Sequence, residues 1–388
     1  MAKPSARLRV GFVGCGRVTQ GLHLPAFRRL ADWQVIAAAD SDESRLNLTA
    51  NRFGIPHRYP DYQTLLADPN VDVVAVCLPP QLHVEVALAA LEAGKHLFIE
   101  KPLAVSLGEC DQLLERAARS PRKVMVGFNL RWHRLIRRTR EMIQAGALGE
   151  LELIRTTFTT GGTLQTDFPE WSSWRTPGGG ALFDLGVHHF DLWRYLTGAE
   201  VQEISAMSHS RDAGGQSVVV TARMDSGLLV TSIFSNETTD SNELEISGRK
   251  GSIRVFCYRF DGLEFITAPG SFGGLQRLPS KLSATLMAIP GAIARASLGG
   301  DFHSTYEAEW RAFAHSIRND TPVECSLEDG RRAVEVSLAA LASESQSRPV
   351  QIPESPRYGL GTPALPSAGE VSEPIQSATD LLLRGKVV

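Results

Sequence analysis

LRVGFVGCGRVT, residues 8–19, is a short apolar run that breaks at Gly14 and Gly16 and leads into a helical pattern. Glycine at the first position permits a tight turn. At the second it lets the backbone approach a pyrophosphate, which then sits at the positive end of the following helix beside Arg17 and Val18. Thr19 stands where a third Gly or Ala would allow close contact of helix and strand, so a looser packing is expected there. Gly21 and Pro25 disturb the same helix further. A second strand, 35–39, ends at Asp40 about two dozen residues on, where a carboxylate binds the adenosine ribose hydroxyls and repels a 2′-phosphate. NAD is therefore the favoured cofactor, and Arg45 nearby keeps NADP open.

Outward from this stretch the pattern alternates. Helices are expected near 41–53, 61–66, 82–93 and 106–119, and strands at 71–78, 96–99 and 124–128. Strands of continuous Val, Ile and Leu separated by helices mark an α/β unit, residues 1–128, with a doubly wound parallel sheet covered on both faces. Ligands of such sheets bind at the carboxyl ends of the strands. Those ends carry Gly14, Asp40, Leu78-Pro79-Pro80 with His83 just beyond, and Glu100-Lys101-Pro102. A lysine in that place points into the crevice, where it stabilises a developing alkoxide or donates to a carbonyl oxygen.

The second half turns on GGGALFDLGVHHFDLWRYL, residues 178–196. At the α-helical period Asp184, His188, Asp191 and Tyr195 fall on one stripe with apolar flanks. Burying two carboxylates and an imidazole costs several kcal/mol per unpaired charge, so the stripe is either paired internally or faces a cavity. In the first reading Asp184 bonds His188 and Asp191 bonds Arg194; in the second Asp184 and His188 face a substrate. A metal site built from His188, His189 and Asp191 fits poorly, because His189 sits about 100° around the helix from His188.

Alternating strands at 150–160, 201–209, 217–225, 228–236, 244–247, 252–257 and 263–266 give a large, mostly antiparallel sheet. With its helices this forms an α+β unit over 129–352. Arg131 and His133 lie just past the first sheet, where either could reach the crevice, although a solvated helix start is the favoured account. Tyr306 sits near the start of an amphipathic helix, 305–318, and Ser326-Leu327-Glu328-Asp329 resembles a capping box opening a last helix. Residues 268–300 are interrupted by Gly, Pro and Ser, and 353–388 read as a disordered tail.

A 388-residue chain with a formal net charge of -3 and no basic cluster carries no footprint for nucleic acid. Its five cysteines are scattered, with no CxxC pair, which is the usage of a reduced compartment. The N-terminus has no apolar signal core, and the apolar run 282–298 is broken by Pro290 and Arg295 and falls short of the ~20 residues of a membrane span. A cytoplasmic protein without membrane attachment is expected.

Gly14-x-Gly16, Cys77-Leu78-Pro79-Pro80 with His83, Gly94-Lys95-His96 leading to Glu100-Lys101-Pro102, and GGGALFDLGVHHFDL together resemble the Gfo/Idh/MocA family of oxidoreductases over residues 7–350. Thr19 and Pro80 depart from its usual pattern. The resemblance implies a nicotinamide cofactor contacting Gly14, Gly16, Arg17, Val18, Asp40, Leu78, Pro79, His83, Glu100 and Lys101, with Trp174 and Arg175 closing over nicotinamide or substrate. It implies a sugar, sugar derivative or cyclitol substrate met by Lys101, Arg131, Asp184, His188 and Tyr306, and homo-oligomers formed through the second sheet. The catalytic group would be Lys101, Asp184 and His188: the imidazole takes the hydroxyl proton, Asp184 orients it and Lys101 stabilises the alkoxide. Two rivals remain at this point, an enzyme that recycles a tightly held NAD and a non-catalytic NAD-binding regulator.

Overall fold

The computed structural model describes residues 7–161, 173, 176–209, 216–267 and 300–353. Six parallel strands form the first sheet: β1 (Leu8–Val13), β2 (Trp33–Ala39), β3 (His57–Tyr59), β4 (Val73–Val76), β5 (His96–Glu100) and β6 (Val124–Gly127). Their order is β3-β2-β1-β4-β5-β6. The order reverses between β1 and β4, which opens a crevice at the carboxyl ends of those two strands. β1, β4 and β6 are almost wholly buried, as continuous apolar strands must be when helices cover both faces. The edge strand β3 went unseen in the sequence because His57, Arg58 and Tyr59 are exposed or half-buried and show no apolar pattern.

The covering helices begin where short polar side chains take up free backbone N–H groups. Asp42 caps α2 (Glu43–Phe53), Asp61 caps α3 (Tyr62–Ala67) and Ser106 caps α5 (Leu107–Ala118). A short α1 (Leu24–Phe27) precedes them, and α4 (His83–Glu92) joins β4 to β5. Helix α6 (Arg134–Gln144) then leads to the second sheet.

That sheet comprises β7 (Leu151–Thr159), β8 (Val201–Ser208), β9 (Ser217–Met224), β10 (Leu229–Ser235), β11 (Ser241–Gly248), β12 (Gly251–Phe256), β13 (Leu263–Thr267) and the short β14 (Val350–Gln351). The order is β13-β12-β11-β7-β10-β9-β8-β14, and only the β7–β10 pairing is parallel. One face alternates apolar residues inward, such as Val218, Val220, Ala222 and Met224 of β9. Across the opposite face, Met207, Val219 and Ile233 form a cross-strand row beside Leu153 and Leu229, all exposed.

Against the inner face lies α7 (Val187–Thr197), every residue of which is buried. It is preceded by a π-helical turn, Leu182–Gly186. Helix α8 (Gly300–Asn319) returns to the first sheet, where Trp310 stacks on Phe98 at 4.4 Å and meets Trp33 edge-on at 5.0 Å. Helix α9 (Leu327–Gln346), opened by a capping box between Ser326 and Asp329, packs on α5, α7, β6 and β8 and so ties the two sheets together. Trp174, Arg175, most of the 268–300 stretch and the tail from 354 lie outside the described residues.

Candidate active site

The crevice beside β1 and β4 is about 1050 Å³ and is lined by Gly14, Gly16, Arg17, Val18, Asp40, Leu78, Pro79, Glu100, Lys101 and Asp184, among others. Gly14 has φ +96°, and a Cβ there would lie 2.2 Å from the Cys77 carbonyl oxygen. Only glycine lets the end of β1 approach β4 this closely. Gly16 has open space where a Cβ would be, on the side a pyrophosphate would take. This cradle fits a dinucleotide.

Thr19 does not loosen the loop, contrary to the sequence expectation. Its hydroxyl is fully buried and donates to the Gly14 carbonyl at 2.7 Å, and Thr19–His23 forms a π-helical turn in place of a regular helix start. The Asp40 carboxylate accepts from the Cys15 and Asp42 backbone N–H groups at 2.8 and 2.9 Å, and from Arg45 at 2.9 and 2.6 Å. Burial works to raise its pKa, but Arg45 and the two N–H groups outweigh burial and hold it below the usual carboxylate value. Arg45 therefore neutralises the residue that was expected to reject a 2′-phosphate.

At the carboxyl end of β5, Lys101 donates from Nζ to Asp184 Oδ1 at 2.9 Å and to the Asp184 carbonyl at 2.8 Å. The lysine from the first sheet and the aspartate before α7 thus meet across one crevice. His188, one turn on, is 8% exposed and sits against the rings of Phe128 and Phe158, with Nδ1 unpartnered. Burial, then the Lys101 charge and then His189 push its pKa well below 6.5, so the imidazole is neutral at neutral pH. Asp184 pairs with Lys101, and the expected orientation of His188 by Asp184 is corrected. The cause is the π turn over Leu182–Gly186, whose i→i+5 bonding breaks the 3.6-residue stripe and swings Asp184 toward the first sheet.

Four further expectations are corrected. Arg131 reaches no crevice: it is 4% exposed and donates to Asp191 at 2.7 and 2.5 Å, to the Glu324 carbonyl at 2.6 Å and to Asp329 at 3.3 Å. Arg194, the partner expected for Asp191, instead holds Glu200 and Asp329. His83 is fully buried, with its ring nitrogens 2.8 Å from the Pro102 and Leu78 carbonyls, so it fastens β4 to β5 and does not line the cofactor crevice. Tyr306 lies in the core, edge-on to His23 at 5.1 Å, and burial with the Glu100 and Glu309 charges pushes its phenol well above its ordinary pKa. His189 turns away from His188 to stack on Phe158 and bond Asn242 at 3.2 Å.

Residues 8–128 match the model of the GFO/IDH/MocA oxidoreductase family with an NAD-binding Rossmann fold, and 136–254 match the GFO/IDH/MocA C-terminal domain. An uncharacterized oxidoreductase of Rhizobium meliloti, ORF334, is 30% identical over 64% of this chain and 74% of its own length. The chain belongs to the Gfo/Idh/MocA family. Within it, a myo-inositol 2-dehydrogenase of Thermotoga maritima is 26% identical, covering 89% of this chain and 99% of its own. A crystal structure of an NAD binding oxidoreductase from Klebsiella pneumoniae superposes with a TM-score of 0.75 at 25% identity, over 90% of this chain and 100% of that one. This Gfo/Idh/MocA chain is accordingly an NAD-dependent oxidoreductase.

Arg45, noted in the sequence beside Asp40, does engage it, and Cys77 of the Cys77-Leu78-Pro79-Pro80 motif lines the crevice. His23, which contacts Glu100 at 2.7 Å, left no trace in the sequence. His23 lies on the inner face of a helix that Gly21 and Pro25 seemed to disrupt, so no periodicity marked it.

Proposed function

We propose that the protein oxidises a secondary hydroxyl of a sugar, sugar derivative or cyclitol, and catalyses the reverse reduction. The observation that carries this reading is the Lys101–Asp184 ion pair at the mouth of the dinucleotide crevice, with the neutral His188 imidazole one turn behind. His188 takes the hydroxyl proton; being neutral it is ready to do so. Lys101 donates to the substrate oxygen as it becomes an alkoxide. Asp184 holds the ammonium in place and accepts from a neighbouring hydroxyl, which polyols supply and simple alcohols lack. NAD held on the cradle at Gly14 and Gly16 would supply the hydride acceptor for the same carbon.

The relatives named as inositol and glucoside dehydrogenases support a polyol substrate. Division into 1–128, 129–352 and a 353–388 tail is retained as a proposal, with α8 and α9 recrossing the first boundary. The exposed Met207, Val219, Ile233 row beside Leu153 and Leu229 supports a second copy packing on the outer face of the second sheet. Five unpaired cysteines support a reducing, cytoplasmic setting. The test is a panel of inositols, sugars, sugar phosphates and nucleotide sugars with NAD and with NADP, read by formation of reduced nicotinamide. Turnover of at least one polyol with NAD is expected. Protein that carries reduced nicotinamide as purified and ignores added NAD would overturn the reading in favour of a recycled cofactor.

A further inference from the structure

The same π turn that fixes the glycine loop also reaches the catalytic lysine. Thr19 opens the turn and binds the Gly14 carbonyl; His23 closes it and is fully buried. The indole N–H of Trp310 donates to His23 Nδ1 at 3.0 Å. An indole nitrogen can only donate, so Nδ1 holds a lone pair and the ring proton resides on Nε2. That nitrogen lies 2.7 Å from Glu100 Oε1, and so donates to it. The second Glu100 oxygen accepts the backbone N–H of Lys101 at 3.1 Å. An unbroken chain of hydrogen bonds thus runs from Trp310 through His23 to the Glu100 carboxylate, which accepts at one oxygen from His23 and at the other from the residue that presents the ammonium.

Packing leaves the imidazole one orientation. Phe98, Tyr306 and Trp310 meet its ring edge-on at 5.4, 5.1 and 5.9 Å. Among the described residues His23 is the only side chain that forms an ion pair or hydrogen bond with Glu100. The nearby Glu309 is fully buried with both oxygens unpartnered, and burial together with the Glu100 charge pushes its carboxyl well up.

We propose that His23 is a positioning residue for Lys101: held as the neutral Nε2–H tautomer by Trp310, it sets the Glu100 carboxylate that fixes the lysine backbone at the mouth of the crevice. The kinetic part rests on the role given to Lys101 above. The same helical turn carries Thr19, which binds the glycine loop, and His23.

The test compares His23→Phe with His23→Gln in the full chain. Phenylalanine keeps the edge-on ring contacts but neither accepts from Trp310 nor donates to Glu100; glutamine offers both an acceptor and a donor. On the best polyol, kcat of His23→Phe should fall about 10- to 100-fold, as a displacement near 1 Å does, with KM for NAD within about threefold of wild type by the same reasoning. His23→Gln should recover most of the loss. Equal kcat in wild type and His23→Phe, or equal loss in both variants, would overturn the proposal. Nitrogen-15 spectra of the wild type read it without turnover: the Nε2–H tautomer is expected, and an Nδ1–H or doubly protonated ring would overturn it. The Lys101 amide resonance should move in His23→Phe and return in His23→Gln, so this proposal and the polyol reading can fail separately.

Discussion

Arg131 looked from the sequence like a substrate contact, and the structure makes it a structural cation; Arg131→Met separates the two. Its side chain is 5% exposed, that of Asp191 1% and that of Asp329 10%. Methionine fills a similar volume but removes both bonds to Asp191 and the bond to the Glu324 carbonyl. Asp329 keeps Arg194 and the Ser326 N–H, whereas Asp191 is left in the core with no cation bonded to it. Burial already pushes the Asp191 carboxyl upward against the pull of Arg131, so its ionised form depends on that partner. Breaking one side of such a pair costs about 3–5 kcal/mol. At about 2–4 °C per kcal/mol, the first thermal transition should drop by roughly 6–20 °C. Scanning calorimetry reads this, and steady-state kinetics below the transition should show KM for the polyol within about twofold of wild type, because only a substrate contact would change it selectively. The double variant Arg131→Met/Asp191→Leu, with neither charge left behind, should regain more than half of the lost stability. An unchanged Tm with a KM raised tenfold or more would refute the reasoning and restore the substrate role.

Three other outcomes follow from the site. Gly14→Ala places a Cβ 2.2 Å from the Cys77 carbonyl at φ +96° and should cost at least ~2 kcal/mol by thermal melting, while Gly16→Ala, with open space around its Cβ, should melt like wild type and weaken only NAD affinity in a titration. Asp40→Ser releases Arg45 for a 2′-phosphate and removes a like charge, so the ratio of kcat/KM with NADP to that with NAD should rise about 10- to 100-fold; an unchanged ratio would count against the Asp40–Arg45 reading. His188 has its pKa depressed below 6.5 in the folded state, so the folded form disfavours the proton that the unfolded chain binds, and the associated stability is present above pH 6.5 and lost as pH falls below it. The kcat/KM profile of the enzyme should therefore stay flat down to pH 6.5, and an acid limb centred at or above that value would contradict a neutral base.

The first sheet was legible because its strands are buried on both faces and its turns use glycine and proline for reasons that leave a mark, as at Gly14 and at Pro102 after Lys101. The second sheet showed in its alternation, with each expected strand found within a few residues. What escaped notice was long-range pairing. Asp184 and His188 are four apart and read as partners, yet the π turn sends the carboxylate to Lys101, 83 residues away in sequence. Arg131 and Asp191 meet 60 residues apart, and nothing local distinguishes a charge that will be buried from one that will face a ligand. Trp310 returns to the first sheet from far along the chain, so the contacts that enclose His23 had no sequence signal near either residue.

The amine at the mouth of the crevice is the group on which hydride transfer depends, and Lys101→Met tests it most directly. Single-turnover reduction of bound NAD by the best polyol should slow about 10²- to 10⁴-fold. NAD should bind with a Kd within about threefold of wild type, since the cradle around Gly14 and Gly16 is untouched. A variant that binds NAD normally and transfers hydride at the wild-type rate would contradict the account.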